Sequence, residues 1–172
     1  MKGFAEIEFV ISVFVFITTV SFVTSIVISN MPLFHGASIS DTLKAKSWQY
    51  SEMLLLDEGA PANWQTLPFD EVNRIGLSTI ERYVLDKDKI DMLAAMCSDP
   101  GYTSIKIMLG LDIRNDIIIE ASYLDDSPVT GGSKTVCGPS TITQIRPRFQ
   151  TVRFGVLNDA DRTIIRVKVI II

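Results

Sequence analysis

Residues 9–28 form an unbroken charge-free run, FVISVFVFITTVSFVTSIVI, and the next charged side chain is Asp41. An α-helix rises about 1.5 Å per residue, so twenty residues reach roughly 30 Å, the thickness of a hydrocarbon core. Many of these residues are β-branched and would favour strand in water. In lipid a lone strand leaves its N–H and C=O groups unpaired, so helix wins. Asn30 and Pro32 follow the run and predict a break or bend there. Thr18, Ser21, Ser25 and Ser29 recur at spacings of three and four, a narrow hydroxyl stripe on a helix. Such a stripe suits close helix packing, and equally hydroxyls bonding back to their own helix carbonyls.

A cleaved secretory signal is the first competing account. Its apolar core is shorter, is preceded by basic residues and ends at a small-x-small site. Here one lysine, Lys2, stands against Glu6 and Glu8, and the nearest cleavage candidate, after Ala37, puts His35 where a small residue belongs.

At 172 residues and net charge −4, the chain has room for one domain plus an anchor, and no basic excess to attract nucleic acid. With two cysteines, Cys97 and Cys137, and His35 as the lone histidine, no conventional four-ligand zinc site can be built. No motif for another cofactor stands out, so none is expected. The same inventory leaves the region beyond the run without a Ser–His or Cys–His pair, and an enzyme is not expected.

The opening MKGFAEIEF places Lys2-Gly3 before Phe4, and Glu8 four residues after Phe4, at the edge of the apolar run. A basic residue, a glycine, four mostly apolar residues, a glutamate and a long hydrophobic helix resemble the leader of type IV pilins. The brevity of Lys2-Gly3 and the IEF at residues 7–9 look most like archaeal pilin-like proteins with a class III signal peptide. SEMLLLDEGAPANW, followed by RIGLS and LDKDKIDML, is similar to the soluble domain of archaeal pilin-like surface proteins, where a helix ends in a Gly-x-Pro-x-x-Trp turn. Phe4 stands where many archaeal members carry Gln.

The resemblance implies cleavage after Gly3 by a membrane-embedded prepilin peptidase, with Lys2, Gly3 and Phe4 forming the processing site. It implies that the helix, held first by membrane lipid, then enters a filament core with other pilin subunits and the pilus assembly machinery. Glu8 of one subunit would offset the new amine at Phe4 of its neighbour, since a charge entering an apolar bundle needs a partner. The implied layout is a leader over 1–3, a transmembrane and assembly helix over 4–31, and an extracellular α+β domain over 32–172. That domain is read as helical over 38–110 and β-rich over 116–172. The cell membrane, with the domain outside, and then a surface filament are the implied locations.

The residues beyond the anchor support an α+β fold of short helices and a small antiparallel C-terminal sheet. Over 38–56, Leu43, Ser47, Tyr50 and Leu54 share a face, with Asp41, Lys44 and Glu52 left to water. Gly59 and Pro61 end that helix, and the indole of Trp64 is expected to fold back over its end. Asp86 caps a helix with Ile90, Leu93, Ala94 and Cys97 on one face, and Asp99-Pro100-Gly101 opens another in which Ile105 and Leu109 point inward. Strands are expected over 116–124, over 141–155 with a break at Pro147, and over 162–172, where Ile165, Val167 and Val169 alternate with Arg166 and Lys168. Asn158-Asp159-Ala160-Asp161 reads as the hairpin turn between the last two, and 129–134 as a flexible loop.

Arg146, Arg148, Arg153, Arg162 and Arg166 gather positive charge in the last third. They suit either docking between subunits or the wet face of alternating strands. A Cys97–Cys137 bridge would close about forty residues and stabilise by roughly 3–4 kcal/mol, while Cys97 on an apolar helix face is equally at home as a free thiol. The sequence leaves both open. Two functional readings follow: a subunit, more in keeping with a minor one, of a pilus-like filament, and a single-pass surface protein with an outer ligand- or partner-binding domain. The glycine and glutamate at their spacing are explained only by the first.

Overall fold

The computed structural model describes residues 2–97, 101–112, 115–141 and 148–172, without the side chains of 2–6, 32–35 and 69. It divides into two compact units, 1–39 and 40–172.

The first unit is the leading part of helix α1, which runs Lys2–Leu56. Every described side chain from Ile7 to Ser29 is exposed, and the apolar window that could cross a membrane has none of its residues buried within the fold. The chain stays helical through Asn30 and Pro32, where the sequence predicts a break or bend. Proline removes one donor from a long ladder, and the Asn30 amide donates to the Ile26 carbonyl (2.8 Å), keeping its side chain within the helix. Thr18 and Thr19 likewise donate back to Phe14 and Val15 (2.7 and 2.8 Å), the self-bonded state of a hydroxyl in an apolar helix.

The second unit holds an α+β core. Leu43, Ser47, Tyr50 and Leu54 of α1 are buried as one face, together with Ser51 and Leu55. The helix ends by handing its last carbonyls to a following segment: Leu77 N–H donates to Leu54 O (2.9 Å) and Tyr83 N–H to Leu55 O (3.1 Å). Gly59 supplies the left-handed residue (φ 86°) after the helix, and its N–H bonds the Asp57 carboxylate at 2.8 Å. Single 3-10 turns follow at Trp64–Thr66 and Phe69–Glu71, then a short strand β1 (Val84–Leu85).

Asp86 caps α2 (Lys87–Met96), accepting from Asp88 N–H at 2.9 Å, and Ile90, Leu93 and Cys97 are buried along one side. Helix α3 spans Gly101–Met108 with Ile105 and Leu109 buried; the expected cap and first-turn residues, Asp99 and Pro100, lie outside the described residues. The remaining strands are β2 (Ile117–Tyr123), β3 (Thr135–Cys137), β4 (Phe149–Leu157) and β5 (Ile164–Ile171).

The five strands form one sheet in the order β1-β4-β5-β2-β3. The central β4–β5–β2 set is antiparallel, as expected, and β5 buries Ile165, Val167, Val169 and Ile171 while turning Arg166 and Lys168 to the other face. Two strands depart from the sequence reading. β1 lies inside the stretch read as helical and pairs parallel with β4 (Val84 opposite Val156), adding a parallel edge to an otherwise antiparallel sheet. β3 directly follows the 129–134 segment read as loop; there Val129 and Thr130 are buried. Both strands have three residues or fewer, too short for a period-two pattern to register. β4 starts at Phe149 rather than 141; residues 142–147, including Pro147, lie outside the described residues. Inside, Ser47 Oγ donates within reach of both Thr151 Oγ1 (2.8 Å) and the Val169 carbonyl (3.0 Å), fixing α1 over β4 and β5.

Candidate functional site

The most unusual chemistry belongs to the N-terminal part of α1. Glu8 is exposed on the helix, immediately before the charge-free run, and the surrounding Ile7, Phe9, Val10 and Ile11 are exposed as well. A helix apolar on all sides has no water-facing stripe, so its stable surroundings are lipid or other apolar helices. Lys2, Gly3 and Phe4 lie in the same helix, with their side-chain surroundings outside the described residues.

The second unit carries several buried polar contacts. Lys89 is buried and donates to the carbonyls of Glu58 (2.7 Å) and Ser78 (2.9 Å). Burial lowers its pKa, partly countered by Asp86, Glu58 and Asp57. Tyr102 sits between the Asp116 carboxylate and the Ile117 backbone (each 3.2 Å), and burial pushes its phenol upward. Lys106 pairs with Asp116 at 2.9 Å. Tyr50 reaches the Gly110 carbonyl (3.3 Å), and burial raises its phenol too. Among the described residues no three His, Cys, Asp or Glu side chains are grouped to hold a metal ion.

The arginines read as a possible docking field are drawn into local pairs. Arg153 lies over the Trp48 ring (4.3 Å to its centroid) and within 3.5 Å of Glu52. Arg162 stands 3.5 Å from Glu81, and Arg166 bonds both Asp126 and Ser122. Arg148 is exposed, and Arg146 lies outside the described residues. On the outer sheet face Lys168 pairs with Glu120 across β5 and β2 (2.5 Å), and Lys134 with Asp126 (3.3 Å). The first is a cross-strand pair on a wet face, and the second ties the turn after β2 to the residue before β3. Asp159 is spent on its own turn, accepting from Thr163 N–H (3.0 Å) and hydroxyl (3.1 Å), which lowers its carboxyl pKa.

Cys97 and Cys137 are joined by a disulfide, tying the end of α2 to β3 (Cα–Cα 5.3 Å). The sequence leaves this pair undecided because the pairing of α2 with β3 is invisible without β3. Trp48 is the residue that sequence reasoning passes over. It falls outside the face shared by Leu43, Ser47, Tyr50 and Leu54, and a tryptophan left on the wet side of an amphipathic helix is the signal that could have found it.

Comparison with protein-family models, curated proteins and solved structures found no match for this chain. The fold and the chemistry of its residues therefore carry the functional argument.

Proposed function

We propose that the chain is a structural, non-catalytic subunit of an archaeal type IV pilus-like surface filament, in keeping with a minor component. One observation carries the reading: a charge-free helix, exposed on every side, has Glu8 at its entrance and Gly3 five residues before that acid. In this account prepilin peptidase cuts after Gly3, and the helix leaves membrane lipid for a bundle of like helices. The carboxylate of Glu8 offsets the neighbouring subunit's new amine at Phe4, so neither charge enters the bundle alone. The Cys97–Cys137 bridge agrees with a domain held outside the reducing cytosol.

The test is processing followed by assembly. Intact-mass analysis of the native protein is expected to place the N-terminus at Phe4. Glu8→Ala is expected to leave membrane insertion and cleavage in place while the subunit disappears from sheared filaments. A chain that keeps Met1 and reaches the surface unchanged by Glu8→Ala is instead a single-pass surface protein.

A further inference from the structure

The outer face of the sheet carries a charged cleft whose floor follows from strand register. Glu120 of β2 stands opposite Lys168 of β5, which stands opposite Val152 of β4; one row on, Ser122, Arg166 and Phe154 line up in the same way. Ile165, Val167 and Val169 of β5 are buried on the inner face, so these six side chains share the other one. One side is walled by the chain between β2 and β3, where Asp126 and Lys134 pair at 3.3 Å. Between floor and wall lie about 440 Å³ of open space, which Gln150 of β4 also borders. That volume falls within the roughly 300–1,000 Å³ of small-ligand sites.

The charges in this cleft do not balance. Lys134, Arg166 and Lys168 line it against two carboxylates, Glu120 and Asp126. Lys168 has Glu120 (2.5 Å), but Asp126 is shared by Lys134 and Arg166. Asp125 does not repair the imbalance, since it lies outside the lining and accepts from the Ser127 N–H (3.0 Å) and hydroxyl (2.6 Å). Donors are in surplus too. Arg166 uses Nη2 on Asp126 and on Ser122 Oγ (3.1 Å), while its Nε and Nη1 groups have no partner among the described residues. Each of the two ammonium groups carries three N–H bonds and has one carboxylate partner. Ser122 is buried beneath Arg166, and Glu120, Arg166 and Lys168 are half-buried, so water is partly excluded from these groups.

We propose that this cleft binds a sugar acid, a ring that carries one carboxylate among hydroxyl groups. The balance of charges and donors selects it. A carboxylate takes up the unmatched positive charge and the free N–H groups of Arg166, whose planar fork suits a two-oxygen acceptor. A bare anion would also face the oxygens of Glu120 and Asp126, which repel it. Hydroxyls on the same ring donate to those two carboxylates and accept from Lys134, Lys168 and the Gln150 amide. Phe154, 57% exposed beside Arg166, and Val152, 41% exposed beside Lys168, offer apolar surface to the C–H face of the ring. Free sugar acids and the uronate units of a polysaccharide share this chemistry. The site lies in the second unit alone and does not rest on filament assembly.

The experiment uses the full chain in lipid nanodiscs at neutral pH, with galacturonic acid as monomer and as tetramer. Both are expected to bind and to shift the Arg166 Nε–H and the backbone amides of Ser122 and Lys168 in NMR spectra. Tighter binding of the tetramer assigns the site to a polysaccharide, and equal binding per ring assigns it to a free sugar acid. The methyl ester of the tetramer keeps the hydroxyls and removes the charge, and is expected to bind at least about tenfold more weakly. Arg166→Gln is expected to weaken the acid by a similar factor, and Phe154→Ser, at an exposed position, several-fold. The ester acts on the unaltered protein, so its result stands even where Arg166→Gln perturbs the fold. Inorganic phosphate at equal concentration is expected not to displace the tetramer. No binding of either acid, equal binding of the ester, or displacement by equimolar phosphate overturns the proposal. Binding that survives both substitutions unaltered also overturns it, since the acid then sits elsewhere.

Discussion

The indole N–H of Trp64 donates to the carbonyl of Gly76 at 2.8 Å, and the same ring lies against Gly59, where an added Cβ would stand 2.4 Å from Cδ1. One fully buried side chain thus closes the corner after α1 from both sides. Trp64→Phe keeps most of the apolar area but strands the Gly76 carbonyl, a loss of about 1–3 kcal/mol. Gly59→Ala meets both the ring and a left-handed backbone (φ 86°), and is expected to destabilise at least as much. Guanidinium unfolding of the full chain in detergent, followed by circular dichroism, measures both. Unaltered midpoints would show that the corner is not what secures the helix end.

The Cys97–Cys137 bridge spans 40 residues of sequence. In the chain-entropy model, closing a loop of that length restrains the unfolded chain by about 3–4 kcal/mol. A thiol count under denaturing, non-reducing conditions is expected to find no free cysteine. Reduction, or the double change Cys97→Ala and Cys137→Ala, is expected to lower the unfolding midpoint without loss of helix content. Two titrating thiols in protein taken from its native surface would contradict this.

Much of this fold was legible because its signals are periodic. The charge-free run, the face of Leu43, Ser47, Tyr50 and Leu54, the Asp86 cap and the alternation along β5 all recur at fixed spacings that sequence displays directly. What escaped was set by tertiary pairing. β1 has two residues and is a strand only because Val156 and Leu157 lie beside it. The bridge depended on α2 meeting β3, and the arginines found individual acids that charge counting cannot assign. The opening motif is the reverse case. Gly3 and Glu8 are plain in the sequence, yet the chemistry proposed for them involves a neighbouring subunit, which a single chain does not contain.

Asp126 is exposed, and its carboxyl pKa is lowered by Lys134 first and then Arg166. A carboxyl depressed in the folded state favours folding above the unfolded value, and that contribution fades as pH falls through the folded value. Carbon NMR is expected to show Asp126 titrating below the usual aspartate range, and Lys134→Met to move its midpoint upward. Asp125, held low by Ser127, serves as the internal control and is expected not to move. An Asp126 midpoint unchanged by Lys134→Met would rule out the pairing across the outer sheet face. Exposure keeps the associated stability change small.

Ser47 and Thr151 form a buried hydroxyl pair across 104 residues, with Ser47 also within 3.0 Å of the Val169 carbonyl. Removing Ser47 leaves the Thr151 hydroxyl without this partner, which costs about 1–3 kcal/mol, whereas removing Thr151 still leaves Ser47 the Val169 carbonyl. Thr151→Val preserves shape but orphans one bond of Ser47, and Ser47→Ala orphans Thr151. The double change removes both polar groups, so its cost is expected to fall short of the two single costs added together, by about 0.5 kcal/mol or more. Unfolding of the four proteins under one condition completes the cycle. Strict additivity would mean that the two hydroxyls do not act as a pair, and that α1 is held on the sheet by apolar contact from Leu43, Tyr50 and Leu54 alone.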